Sequence, residues 1–127
     1  MKRIIFFVAV FMTVNLSQGQ AQSQLLDVKA FDTRMASTKD KIVLDVRTND
    51  EYNQGHLENA VMIDYYKPDF KQRLAKLDKA KPVFVYCAAG ARSESAAQTL
   101  VDLGFKQVYD LSGGMNAWKK AKMPIEK

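Results

Sequence analysis

The stretch of this chain best equipped for chemistry is Val83-Phe84-Val85-Tyr86-Cys87-Ala88-Ala89-Gly90-Ala91-Arg92-Ser93. An apolar run of strand type delivers a cysteine to a turn of small residues, and a helical segment follows. A thiolate is the strongest ready nucleophile among side chains at neutral pH. Small neighbours let successive backbone N–H groups converge on one point as an anion-binding nest, and Gly90 can take a positive φ without a steric penalty. The helix beyond adds the partial positive charge of its N-terminus. In such a setting a sulfur anion gains hydrogen bonds and a favourable field. Cys87 therefore reads as a nucleophile, with the amides of Ala88, Ala89, Gly90, Ala91 and Arg92 as its cradle. The plainer alternative is a small buried hydrophobe closing an apolar strand, as free cysteine often is. The glycine and arginine at these spacings favour the nucleophile.

Cys87 is the only cysteine, so it has no internal disulfide partner, and His56 is the only histidine. One of each is too few for a metal site. No cofactor motif is present, and none is expected. The chain starts with Lys2 and Arg3, an apolar run from Ile4 to Val14, and then Gly19 and Ala21 flanking Gln20. This is the pattern of a secretory signal peptide over residues 1–21, cleaved after Ala21. As a helix the apolar run reaches only about 16 Å, against a hydrocarbon core of roughly 30 Å. The expectation is thus a periplasmic or secreted protein without a stable membrane span, an uncleaved anchor being the alternative. Removing the signal takes two bases and no acid, so the formal charge falls from +5 to +3. That excess is small and scattered among acids and apolar positions, which argues against a nucleic-acid partner and for solvated helix faces.

A chain of 127 residues allows one domain, expected over residues 22–127. Gln18 to Gln24 reads as the cleavage region and a flexible start. From Leu25 onward, short apolar runs alternate with helical periods, the arrangement of an α/β domain on a largely parallel sheet. Strands are expected at Ile42–Val46, Val83–Tyr86, Val61–Ile63 and Gln107–Asp110. Helices are expected around Asp50–Tyr52, over Asp69–Leu77, over Ser93–Leu103 with Gly104 as terminator, and from Met115 to about Ala121 before Pro124. In such a fold, ligands sit outside the carboxyl ends of strands, which is where Cys87 falls.

Three segments resemble the rhodanese family, and the likeness runs from about Leu25 to Pro124. The first comprises Val43-Leu44-Asp45-Val46-Arg47, Glu51-Tyr52, Gly55-His56-Leu57 and Ala60. The second is the CAAGAR loop with Ser93. The third is Leu111-Ser112-Gly113-Gly114-Met115-Asn116-Ala117-Trp118. The resemblance implies a three-layer sandwich, a central sheet of about five largely parallel strands with helices on both faces. It also implies a sulfurtransferase or persulfide carrier. Cys87 would take a sulfane sulfur from thiosulfate or a persulfide donor and pass it to cyanide, a small thiol or a protein-borne thiol. The amides from Ala88 to Arg92 would stabilise the persulfide. Arg92 would pair with the donor's sulfonate, or alternatively with a surface acid. The loop is similar to that of cysteine-dependent phosphatases, which place five residues between cysteine and arginine; four stand here, and sulfur transfer is favoured.

Many active relatives carry a basic or polar residue directly after the cysteine, whereas this loop has Ala88, Ala89 and Ala91, leaving Arg92 as its only charged side chain. An idle anion- or peptide-binding module of the same fold is therefore the competing reading. Asp45 and Arg47 are expected to orient a loop by pairing with the backbone or each other, and His56 to be hydrogen-bonded packing rather than a base. Glu51 and Tyr52 should fix a short helix, and Trp118 should anchor the core. A monomer is the default.

Overall fold

The computed structural model describes residues 22–127, so the expected signal segment lies outside the described residues. In chain order the elements are β1 (Gln24–Leu26), α1 (Val28–Ser37), β2 (Ile42–Asp45), α2 (Asn49–Asn53), β3 (Val61–Met62), α3 (Phe70–Ala75), β4 (Val83–Tyr86), α4 (Ala91–Asp102), β5 (Val108–Leu111) and α5 (Gly114–Lys120). The strands form one five-stranded sheet in the order β1-β5-β4-β2-β3, and every pairing is parallel. This is the expected α/β sandwich.

Side chains alternate across the central strands. Val83, Val85 and Val108 face one side with Ala96, Ala97 and Leu100 of α4 and Phe70 and Leu74 of α3. Phe84, Tyr86, Tyr109 and Leu111 face the other with Phe31 of α1 and Met115 and Trp118 of α5. Burial on both faces explains why β4 is apolar throughout rather than alternating. Phe31 meets Phe84 and Trp118 edge-on, with centroids 5.4 and 6.4 Å apart. The Trp118 indole N–H donates to the Pro124 carbonyl at 2.9 Å, so the tryptophan anchors both α5 and the chain after it.

Several boundaries differ from expectation. Gln24, assigned to a flexible start, is the first residue of β1, and α1 follows directly with Asp27 capping it through the Ala30 amide at 2.8 Å. Neither element was expected. Three edge-strand residues carry too little pattern to register, and they are held by pairing with β5 rather than by their own preference. Helix α4 begins at Ala91, not Ser93, because Gly90 at φ +121 ends the turn early; Gly104 at φ +99 follows its last turn as expected. α3 is shorter than read, with Asp69 just outside it, and β5 is shifted one residue, Val108–Leu111.

The sheet places two loops side by side. From β2 the chain first runs outward to β3, then returns to the other side as β4, so the carboxyl ends of β2 and β4 form the switch point of the sheet. Cys87 stands just beyond β4. The turn between β5 and α5 closes over it: Met115 N–H donates to the Cys87 carbonyl at 2.8 Å and Asn116 N–H to the Ala88 carbonyl at 3.0 Å. Gly114, at φ +56, makes this approach possible, since a Cβ there would lie 2.4 Å from the Cys87 carbonyl oxygen and 2.7 Å from that of Ala88. Gly114→Ala is accordingly expected to destabilise the domain by more than about 1 kcal/mol, roughly 4–8 °C in Tm, and to slow alkylation of Cys87. Thermal melts and iodoacetamide kinetics check this, and a variant matching wild type in both would show that the close approach is dispensable.

Candidate active site

The peptide units after Cys87 and Ala88 are oriented from outside. Each carbonyl is drawn toward α5, and in a planar trans peptide the N–H points the opposite way. The amides of Ala88 and Ala89 are thus turned away from α5, toward the face on which the sulfur lies, and among the described residues neither meets a protein acceptor. The Gly90 N–H donates to Cys87 Sγ at 3.1 Å. The thiol in turn donates to Ser93 Oγ at 3.4 Å, and the Ser93 hydroxyl donates to the Gly90 carbonyl at 3.1 Å. Cys87 is 1 % exposed and shares the α4 face of the core, so the sulfur lies deep. Ala91 and Arg92 belong to the first turn of α4, where amides have no helical acceptor.

Arg92 is the only charged side chain of the loop, and it is already engaged. Its Nη1 and Nη2 donate to the two carboxylate oxygens of Glu51 at 2.7 and 2.9 Å, and its Cζ lies 5.5 Å from the Tyr66 ring centroid. Glu51 is itself oriented by Thr48 in a capping box: the Thr48 hydroxyl and backbone N–H donate to Oε1 at 3.1 and 3.2 Å. The Arg92 guanidinium pulls the Glu51 carboxyl down to about 2, burial opposing and Thr48 assisting. Glu51 in turn pushes Arg92 further above the usual arginine range. An arginine has five donors, so the bidentate pair fixes the guanidinium and leaves further N–H groups for a ligand.

Asp45 and Arg47 pair with each other beside the switch point. Arg47 Nη2 donates to Asp45 Oδ2 at 2.6 Å and to the Gly55 carbonyl at 2.8 Å, and both side chains are buried. The buried Tyr86 hydroxyl donates to the same Oδ2 at 2.8 Å and accepts from the Leu57 amide at 3.1 Å. Burial, with the Asp45 charge, pushes this phenol well above its ordinary value. The network ties β2, β4 and the loop from Gly55 to Leu57 into one unit, adjacent to Cys87 in sequence. His56 stacks on Tyr52 at 3.9 Å, its Nδ1 lies 3.1 Å from the Tyr52 carbonyl, and its backbone bridges Glu126. Among the described residues its hydrogen bonds and ring stacking are with Tyr52 and Glu126, not with the sulfur loop.

Sequence reading did not find Tyr86, the hold of Glu51 on Arg92, or Asp110, which lies buried at the end of β5. The pattern Thr48-x-x-Glu51 could have disclosed the capping box, but which arginine the same carboxylate would meet 41 residues away could not be read. Among the described residues no group of histidine, cysteine or acid side chains is arranged to hold a metal ion. Because the folded-state Glu51 value lies below the ordinary 4.5, its pair with Arg92 stabilises the fold fully above about pH 4.5 and loses that contribution as pH falls toward 2. The destabilisation caused by Glu51→Gln should therefore be greatest near neutrality and shrink below pH 4.5 in melts across that range; a pH-independent difference would contradict the pairing.

Comparison with known proteins agrees with this geometry. The chain is 42 % identical over 85 residues to a thiosulfate sulfurtransferase GlpE of Coxiella burnetii, covering 67 % of this chain and 78 % of that one. It is 48 % identical over 83 residues to a tRNA uridine(34) hydroxylase of Chlamydia trachomatis, covering 61 % of this chain but 25 % of that protein. Among solved structures, a rhodanese-related protein of Thermoplasma volcanium superimposes with a TM-score of 0.72 at 25 % identity, covering 81 % of this chain and 97 % of that one. The family model described as "Rhodanese-like domain" matches residues 17–121. Since that span takes in both the cysteine loop and the α5 turn that orients it, the chain belongs to the rhodanese-like domain family.

Proposed function

We propose that the mature chain is an exported persulfide carrier, in which Cys87 takes a sulfane sulfur from thiosulfate or a persulfide donor and passes it to a thiol or a cyanide-type acceptor. Family membership and the likeness to GlpE make it a rhodanese-type, thiosulfate sulfurtransferase-like enzyme. The observation that carries the site reading is the sulfur itself, which receives the Gly90 amide inside a loop whose neighbouring amides are turned inward by α5. In the first displacement the Cys87 sulfur attacks the outer sulfur of thiosulfate, an S–S bond forms, and sulfite departs with the electron pair of the bond it leaves. In the second, an acceptor thiolate attacks the outer sulfur of the persulfide, and Cys87 leaves as the thiolate it began as. Each half leaves negative charge on sulfur, and backbone donors aimed at that point stabilise it in both.

Export rests on the pattern of residues 1–21, and a periplasmic or secreted location follows from it. The engaged Arg92 supports donors that need little help from side-chain charge, a persulfide or protein-borne donor among them. The chain is read as a monomer.

Incubation of the purified mature domain with thiosulfate should add about 32 Da to Cys87 by intact mass, one sulfur atom, and Cys87→Ser should gain nothing. No adduct from thiosulfate or from any persulfide donor would leave an idle binding module as the better account. Arg92→Lys keeps the charge but not the two parallel bonds to Glu51, and a rise of about tenfold in KM for thiosulfate is expected, with persulfide still forming at saturating donor. An unchanged KM would remove Arg92 from donor binding.

A further inference from the structure

A cleft of about 470 Å³ lies against the sulfur loop on its β5 side, and the chemistry above leaves it unused. Register explains how it is lined. Asp110 of β5 is aligned with Leu25 of β1, so both side chains project from the same face of the sheet, toward α4, and Ser23 follows the same alternation. The first turn of α4 contributes Ala91 and Glu94, and the sulfur loop contributes Ala89 and Gly90, whose amide holds the Cys87 sulfur. The opposite side of the loop belongs to Arg92 and Glu51, beyond β2 in the sheet order.

The cleft is built for a donor of positive charge. Asp110 is 4 % exposed, and its Oδ1 has no hydrogen-bond partner among the described residues. A buried acceptor left unpaired carries the full cost of its desolvation, so a carboxylate oxygen in this position calls for a reason. Glu94 adds a second acid at the exposed rim, and Ser23 and Ser112 add hydroxyl oxygens. No lysine, arginine or histidine lines the cleft among the described residues. Burial, with the Glu94 charge adding, pushes the Asp110 carboxyl up to about 6, the response of an acid with no cation beside it.

We propose that this cleft is the acceptor subsite of the sulfur transfer, and that Asp110, with Glu94, selects small thiols bearing a primary ammonium group. The inference rests on Cys87 being the nucleophile. Two carboxylates repel thiosulfate, sulfite and cyanide alike, so the cleft does not suit an anionic donor or acceptor. An ammonium is compact and has three N–H donors. One donates to Oδ1 of Asp110, the serine oxygens accept the others, and Glu94 offsets the remaining charge. Asp110 is aligned with Val85, and Cys87 follows Val85 by two residues, so a rise of about 3.3 Å per residue and a strand spacing of about 4.8 Å set the two Cα atoms about 8 Å apart. A small aminothiol is of the size to span that separation, and the cleft volume falls in the range of small-molecule sites, roughly 300–1,000 Å³.

The charged and titratable groups around Asp110 are few. Glu94 acts on it from α4, while Arg92, also on α4, is paired with Glu51 of α2. Strand β1 sets the uncharged Leu25 opposite it, β4 brings Val85 and then Cys87, and the turn before α5 contributes Gly113.

The kinetic test compares sulfur transfer from persulfidated Cys87 to cysteamine and to 2-mercaptoethanol, which has a hydroxyl in place of the ammonium. The preference, the ratio of the two kcat/KM values, should fall about tenfold in Asp110→Asn, as loss of one hydrogen bond to a charged group requires, and about threefold in Glu94→Gln at the exposed rim. Any effect of a substitution on Cys87 itself touches both acceptors alike and cancels in the ratio. A preference unchanged in Asp110→Asn would overturn the proposal, because a merely structural role moves both acceptors together. A binding measurement needs neither sulfur transfer nor a change in the cleft. In the mature Cys87→Ser protein, the ¹³C titration midpoint of the Asp110 carboxyl should fall from about 6 by about one pH unit in saturating cysteamine, since a cation beside the group favours its charged form, and stay in place in 2-mercaptoethanol. A midpoint that moves with neither probe, or with both, defeats the subsite. A midpoint that responds to cysteamine alone, on a protein whose Cys87 takes no sulfur from any donor, would count against the proposed function and leave the ammonium site standing.

Discussion

Two backbone hydrogen bonds, from the amides of Met115 and Asn116 to the carbonyls of Cys87 and Ala88, govern the orientation of the sulfur loop. A planar peptide cannot turn its carbonyl outward without turning its N–H inward, so these contacts aim the donors of a loop that has almost no polar side chains of its own. They require the start of α5 to lie against the loop backbone, which only a residue without a Cβ permits at Gly114. They also require α5 to stay in place, and it is held by Met115 and Trp118 in the core on the face opposite the sulfur. Packing on one side of the sheet thereby sets the electrostatics on the other.

Charge is handled differently at the two neighbouring strand ends. Beside β2, Asp45 receives the Arg47 guanidinium, the Arg47 amide and the Tyr86 hydroxyl, so a buried carboxylate is satisfied by an ion pair and two further donors. Such a pair is worth more as a tie between segments than as net stability, since desolvation offsets most of its attraction. Beside β4, Arg92 is held by Glu51 and largely neutralised by it. The field at the sulfur then comes mainly from main-chain N–H groups and the start of α4, not from side-chain charge. Main-chain donors are fixed by the fold and need no reorganisation when the charge beside them changes.

The elements legible in the sequence were those whose pattern is local. Val83–Tyr86 was read to the residue because four consecutive apolar, β-favouring side chains before a small-residue turn admit few other readings. The α4 segment is legible from Ala96, Ala97 and Leu100; its start lies two residues before the expected Ser93, since Gly90 decides where the helix begins, and its end one residue before the expected Leu103. Strand β1 and helix α1 went unread because a three-residue edge strand is defined by its partner, and the partner lies 85 residues away at Tyr109. The pairing of Asp45 with Arg47 was legible because two residues along a strand end is a distance that side chains span.

The sequence by itself determined the α/β class, the family and the placing of Cys87 in a small-residue loop after a strand, all of which rest on contiguous residues and short spacings. Tertiary structure alone decided that Glu51 would engage Arg92, that Tyr86 would join Asp45, and that Asp110 would share a face of the sheet with Cys87. The physical reason is common to all three. A residue's type is local, but which hydrogen-bonding groups it meets depends on strand order and register, which arise only when distant segments bury their apolar faces against one another.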